Sequence, residues 1–383
     1  MTKAAELAKM GEVLTNSQIG GRRNLIINGA MQVNQRGSVT FDHAATATAN
    51  VYGCDRFQFQ SSNLDNLEGT VTQVADAPVG FTNSLKWTTT EPESAVGAAE
   101  TFDVCQKIEG QDLQQLSFGT SSAKKLSLRF YVKSSVTGTY GINVYKADST
   151  ARQLTSTYTI SSADTWEEKT FVFPADTDSG ATIANDNGEG LRISWLLLMG
   201  SNFTSSDTAL TWTNYADAGF AFGHAQNGVA TTDNATWQLT GVQLEVGDYP
   251  NPTPFEHRSY GEELQLCQRY FEIMFRGGNA QDGTEKTTVG AGVWYQAAQV
   301  LATLLYSPKR AAPTISQSET GALGFYGNSY FRTSTDTTPF DSITDTGCRL
   351  NVESFNANGT AGDGVFAQLV NNNASSLSID AEL

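Results

Sequence analysis

Charge is scarce in this chain. Only 17% of its 383 residues are Asp, Glu, Lys or Arg, and these divide as 24 basic against 40 acidic for a net charge of −16. An acidic surface repels phosphates and anionic lipid, so nucleic acid is excluded as a partner. Long apolar runs are also missing. The longest, Trp195–Met199 (WLLLM), is far short of the ~18 residues that cross a bilayer, so membrane insertion is not expected and this run reads as a buried strand. The N-terminus lacks a signal-peptide core, and nothing marks the chain for a secretion channel. Three histidines (His43, His224, His257) and no nucleophile elbow leave no basis for a His-assisted hydrolase. The four cysteines (Cys54, Cys105, Cys267, Cys348) show no CxxC spacing and read as buried free thiols. No repeat of 20–50 residues is present, which excludes a solenoid.

What is present is Gly, Ser, Thr and Asn around scattered aromatics, including 20 Phe, 13 Tyr and 6 Trp. That composition suits all-β domains joined by turns. Short alternating runs recur at sandwich spacing: 55–59, 85–89, 126–132, 139–145, 156–160, 166–173, 191–199 and 237–246. Asn24–Met31 reads as a further strand entering a turn at Asn28–Gly29. Trp87, Trp166, Trp195 and Trp237 sit inside strand patterns and belong to the core. Gly241 interrupts the alternation of 237–246, which predicts a bulge or kink. Pro250, Pro252 and Pro254 then force the chain out of the sheet. From Gly261, Leu264, Cys267 and Phe271 follow helical spacing, with Glu262 and Glu263 in the first turn. The fold expected is all-β: a jelly-roll sandwich over 21–258, a linker helix over 259–272 and a smaller β knob over 273–383. Before it, Leu7, Met10 and Leu14 mark a short helix within residues 1–20 that is stable only when packed on a partner.

Three stretches carry a family resemblance. VQLEVGDYPNPTPFEHRSYGEELQLCQRYFE (242–272) resembles the junction of bacteriophage tail-fibre and related virion appendage proteins. GRRNLIINGAMQVNQRG (21–37) resembles their opening, SPKRAAPT (307–314) their "PxxMRAAPT" element, and the chain ends in DAEL as many of them do. The strand order KKLSLRFYVKSS, TWEEKTFVFP, WQLTGVQLE is similar to that of carbohydrate-binding-module-like jelly rolls. The resemblance implies a virion protein assembled in the host cytoplasm as a homotrimer. It would be attached to other tail or capsid proteins by its N-terminus (Leu7, Met10, Leu14) and would adhere to host surface glycan without catalysis. The alternatives are a structural decoration or adaptor with no host ligand, and a glycan-cleaving fibre.

Sugar recognition combines aromatic rings with amides and carboxylates. The candidates are aromatics in segments rich in Gly, Asn, Ser and Thr: Trp212, Tyr215 and Phe220, and, in the knob, Tyr326, Tyr330 and Phe331. Contacts are expected at the loop tips of the knob. No cofactor is required, although Asp176, Asp178 and Asp186, with Asn187 and Glu189 nearby, offer oxygens for a structural calcium.

Overall fold

The computed structural model describes residues 23–43, 50–205, 209–225, 228–251, 253–276, 287–317, 323–327, 330–333, 339–353, 359–369 and 376–383. The expected attachment helix, with Leu7, Met10 and Leu14, lies outside the described residues. The chain divides into two compact units, Met1–Tyr260 and Gly261–Leu383.

The first unit contains β1 (Val39–Asp42), β2 (Asn50–Tyr52), β3 (Gln58–Ser62), β4 (Glu68–Val74), β5 (Ser84–Glu91), β6 (Thr101–Glu109), β7 (Leu126–Ser134), β8 (Gly138–Lys146), β9 (Arg152–Ile160), β10 (Glu167–Phe173), β11 (Glu189–Met199), β12 (Thr213–Asn214) and β13 (Thr236–Val246). They form two antiparallel sheets, ordered β1-β4-β5-β13-β7-β10 and β12-β9-β8-β11-β6-β3-β2. From β5 to β8 each successive strand lies in the other sheet, as a jelly roll requires. Alternation puts Trp87, Phe130 and Trp237 of the first sheet against Phe59, Phe102, Tyr140, Tyr158 and Trp195 of the second, all buried. The rings make edge and offset contacts; the Trp87 and Phe102 centroids, for example, are 4.7 Å apart. Trp166 departs from expectation. It precedes β10, is half-buried, and packs under the Lys133 ammonium with Nε1 donating to Asp76 at 3.3 Å, outside the core.

Asn24–Met31 is buried but is not a strand. Asn28 (φ 60°) and Met31 (φ 54°) are left-handed, which prevents an extended ladder, although the turn at Asn28–Gly29 forms. Side-chain amides supply the missing partners. Asn24 Nδ2 donates to Val242 O, and Asn24 Oδ1 accepts from the Ile26 and Leu244 amides, each at 3.0 Å. Gln106, in the second sheet, exchanges two hydrogen bonds with the backbone of Ile27. The expected irregularity in β13 is also there. Gly241 has φ 62°, and the pairing with β7 shifts register between Thr240 and Gln243. Pairing of β13 with β5 stops at Leu239, and the edge thus freed takes Leu25 N on Leu244 O and Val242 N on Gly29 O, both at 2.9 Å. A Cβ on Gly29 would fall 2.1 Å from Val242 O, so only glycine allows this approach.

Beyond the proline corner, Glu256 completes the joint. Its carboxylate accepts from the amides of Arg23 (3.0 Å) and Asn24 (2.8 Å) and pairs with Arg258, whose guanidinium also donates to the carbonyls of Asn24 and Ile26. Arg23 Nε lies 2.7 Å from Glu245. Burial disfavours the Glu256 charge, but the two amides and Arg258 outweigh it and hold the carboxyl below its usual range.

In the second unit the helix, α1 (Tyr260–Gln268), has Glu262 and Glu263 in its first turn. It ends before Phe271, which opens a strand instead of a further helical turn. The strands are β14 (Phe271–Arg276), β15 (Thr287–Gln296), β16 (Gln299–Leu305), β17 (Thr314–Gln317), β18 (Leu323–Gly327), β19 (Tyr330–Thr333), β20 (Phe340–Asp341), β21 (Gly347–Val352), β22 (Gly364–Leu369) and β23 (Ser376–Asp380). They make sheets β14-β23-β17 and β19-β18-β22-β15-β16-β21-β20 around Trp294, Phe325, Leu350 and Ile379. The stretches 264–272, 307–314 and the terminal DAEL meet here. The Lys309 ammonium, fully enclosed, reaches the Gln268 carbonyl and the Glu272 carboxylate (2.8 Å), and Ala381 N donates to Tyr270 O at 2.7 Å. All four cysteines are free and buried.

Two substitutions test these joints by urea unfolding of the full chain. Glu256→Gln, which keeps size and removes charge from two amides and a guanidinium, is expected to cost about 1–3 kcal/mol. Lys309→Ala leaves Glu272 without its cation and is expected to cost about 3–5 kcal/mol.

Candidate functional site

The second sheet of the first unit turns one face to the core and the other outward. On the outward face lies a groove of about 450 Å³. Its floor is built from strand positions that alternate with core residues: Asn50 on β2, Gln60 and Ser62 on β3, Thr101 and Asp103 on β6, and Arg192 on β11. Its wall is the segment 201–224, of which 206–208 lie outside the described residues, and which contributes Phe203, Tyr215, Asp217 and Phe220.

That wall has its own anchors. Phe203, Phe220 and Ala221 pack on Leu196 and Met199 in a satellite core. Asn143 Nδ2 donates to Phe220 O and Gln153 Nε2 to Ala216 O, both at 2.9 Å. His224 Nδ1 accepts from Gly141 N at 3.0 Å. Burial lowers the His224 pKa to about 4, so the ring is neutral at neutral pH and free to accept.

The charges on the floor are arranged. Asp103 is buried, with Gln60 Nε2 donating to it at 3.0 Å. Burial pushes its carboxyl up, opposed by the Arg192 charge and the bonds from Gln60 and Ser194. Arg192 stacks over Tyr145 at 4.7 Å, and Tyr145 in turn meets Tyr215 edge-on at 5.4 Å. Tyr215 is 40% exposed, and its hydroxyl donates to Asp217 at 2.6 Å. Burial, then Asp217, pushes that hydroxyl up, so it stays protonated. The groove therefore offers an exposed ring face, two amides, two carboxylates and one guanidinium.

Tyr215 and Phe220 are thus brought together in one groove. Trp212 is not among its lining residues. Its indole Nε1 donates to Pro174 O at 2.8 Å and its ring sits edge-on to Phe118, a packing role at the end of the sandwich. Tyr326, Tyr330 and Phe331 lie on strands β18 and β19 and not in loops. Tyr326 is 41% exposed beside Phe366, its partner on β22. The side chains of Tyr330 and Phe331 lie outside the described part. Asn50, Gln60, Asp103 and Arg192 escaped the sequence reading because each looks like an ordinary solvent-facing strand residue. Their signal is alternation, as in Thr101–Glu109, where Asp103 and Lys107 alternate with Phe102, Val104 and Ile108.

The calcium expectation for Asp176, Asp178 and Asp186 is corrected, because the protein supplies its own cations there. Both Asp176 oxygens bind the Arg152 guanidinium, at 2.5 and 3.0 Å. Asp178 caps the turn Ser179–Ala181, and Asp186 accepts from Gly188 N. The buried Lys146 ammonium lies among the carbonyls of Asp148, Gly180 and Thr182. Among the described residues these three aspartates do not converge.

No protein-family model matches the chain, and no curated protein matches it. Solved structures similar to it include the enzymatically active domain of bacteriophage CBA120 tailspike protein 4 (11% identity, TM-score 0.31, covering 58% of this chain and 21% of that one). A CBM4 module gives 11% identity and a TM-score of 0.27 over 57% of this chain and 97% of the module. A putative sugar binding protein from Bacteroides thetaiotaomicron gives 13% and 0.29 over 58% and 100%. The chain spans about a fifth of the tailspike domain. Likeness at these scores assigns no function.

The depressed His224 pKa has a definite sign. The unfolded ring, near 6.5, takes up a proton that the folded ring refuses until about 4, so this contribution is complete above about 6.5 and lost as pH falls toward 4. Wild type should lose about 3 kcal/mol more than His224→Gln across that window in urea unfolding, the shift being worth about 1.4 kcal/mol per pH unit.

Proposed function

We propose that the jelly-roll unit binds a host-surface glycan in the groove of its second sheet, as part of a phage virion appendage. The observation that carries the reading is the groove itself: the half-exposed Tyr215 ring over a floor of Gln60, Asp103 and Arg192. Ring faces take the apolar faces of pyranoses, while amide, carboxylate and guanidinium groups read hydroxyls. One cation and two carboxylates in the lining, on a chain of net charge −16, suit a neutral sugar over a polyanion. The virion setting rests on the stretches resembling tail-fibre proteins. In that setting the chain is a trimer held to the particle by its N-terminal region, and weak contacts at each groove add through multivalency. Binding proceeds without cleavage, and Asp103 and Asp217 hold hydroxyls in place of acting as acid and base. The groove takes the place of the knob tips as the site of contact.

Labelled full-length protein measured on host cells or immobilised host polysaccharide tests this. Tyr215→Ala and Arg192→Ala should each weaken binding about tenfold, equivalent to about 1.4 kcal/mol. Tyr326→Ala should leave it unchanged, and prolonged incubation should release no new reducing ends. Loss of binding in Tyr326→Ala alone would move the site to the second unit. If wild type binds no host surface but captures virion proteins, the chain is a structural decoration.

A further inference from the structure

At the loop edge of the first unit, the connection from β3 to β4 touches the one from β5 to β6. Three carboxylates meet there: Asp65, Glu93 and Glu100, with one oxygen of each within 4.8 Å of the others. Glu93, 1% exposed, accepts from the amides of Asp65 (2.9 Å), Asn66 (3.1 Å) and Ser94 (3.2 Å), which draws the two connections together. Glu100 is 5% exposed, and its Oε2 is shut off from solvent with no hydrogen-bond partner. Burial, then the charges of Glu93 and Asp65, pushes the Glu100 carboxyl up, against the Gly97 amide. Among the described residues no Lys or Arg forms an ion pair with any of the three. A carboxyl with one oxygen shielded and without a donor, beside two further carboxylates, is a place where a cation is strongly favoured.

We propose that Asp65, Glu93 and Glu100 bind a calcium ion. The donors are all oxygen, which disfavours zinc, and they sit on irregular connections that accommodate variable coordination. The three oxygens all lie within 4.8 Å of one another, close enough for one cation to reach them together, and calcium at about 2.3–2.6 Å accepts the irregular geometry that the strict octahedron of magnesium at about 2.0–2.1 Å does not. Asp65 is exposed, so water completes the sphere on its side. The ion also acts on the groove. Glu100 O accepts from Gly200 N at 2.8 Å and Ala98 O from Asn202 N at 3.0 Å, so the connection that holds the ion supports the start of the wall carrying Phe203 and Tyr215.

Full-length protein stripped with chelator and melted with and without calcium tests the site. Wild type should gain about 3 °C or more in Tm with calcium and less with magnesium. Glu100→Gln should melt above wild type in chelator, because one repelling charge is gone, and should lose the calcium shift. Asp65→Asn, at an exposed position, should retain the fold and show a reduced shift. Terbium luminescence should report the ion on wild type and fall in both variants. Absence of a calcium shift in wild type, or shifts in both variants equal to that of wild type, would overturn the proposal.

Discussion

The joint between Asn24, Glu256 and Arg258 is the interaction on which the first unit depends. A strand with a left-handed glycine at its midpoint cannot keep a continuous ladder on both edges, and β13 loses β5 after Leu239. The exposed edge of a central strand would be an open template for other chains. Here the chain's own residues 24–29 cover it, with side-chain amides in place of strand pairing. Glu256 then fixes this cover from the far side of the proline corner through two amides and a guanidinium. The stretches that resemble tail-fibre proteins are therefore internal joints. They specify how the fold is closed and leave ligand choice to other residues.

The same division explains what was legible in the sequence. Strands with uninterrupted alternation, such as Leu126–Val132 and Thr139–Tyr145, were read nearly to their ends. β6 was not, because Asp103, Cys105 and Gln106 dilute its pattern; yet Asp103 lies on the groove floor and Gln106 holds Ile27. Asn24–Met31 looked like a strand because its composition is that of one. Its actual partners lie as far as 234 positions away, and most of the bonds run between a side chain and a backbone group, which no local pattern reveals. The loop-aromatic cue points to Tyr215 and Phe220, which line the groove, and equally to Trp212, whose indole NH donates to Pro174 O. A polar residue on a strand face carries no mark of whether it meets water or a ligand. The wall opposite it decides, and here that wall is folded from residues 201–224.

Positive charge is used sparingly, and some of it lies inside. Lys146, Arg152 and Lys309 are among the most enclosed side chains, each surrounded by carbonyls or carboxylates. An ammonium within a cage of carbonyls does for the β10–β11 loop what a bound metal does elsewhere, with no dependence on ion supply. Among the described residues Asp65, Glu93 and Glu100 have no such internal cation, and that contrast sets their cluster apart from the Asp176 loop.

The clasp also sets a path for mechanical force. Tension applied to the chain ahead of Arg23 and behind Arg258 meets the Arg23–Glu256, Asn24–Glu256 and Asn24–Arg258 contacts together with the ties of Arg23 and Asn24 to β13. Those contacts are pulled together as a group, and charge-assisted bonds strained in parallel resist far more than the same bonds peeled one after another. A body held at one end and pulled at the other would thus carry tension along its closing seam, leaving the groove and its wall unloaded.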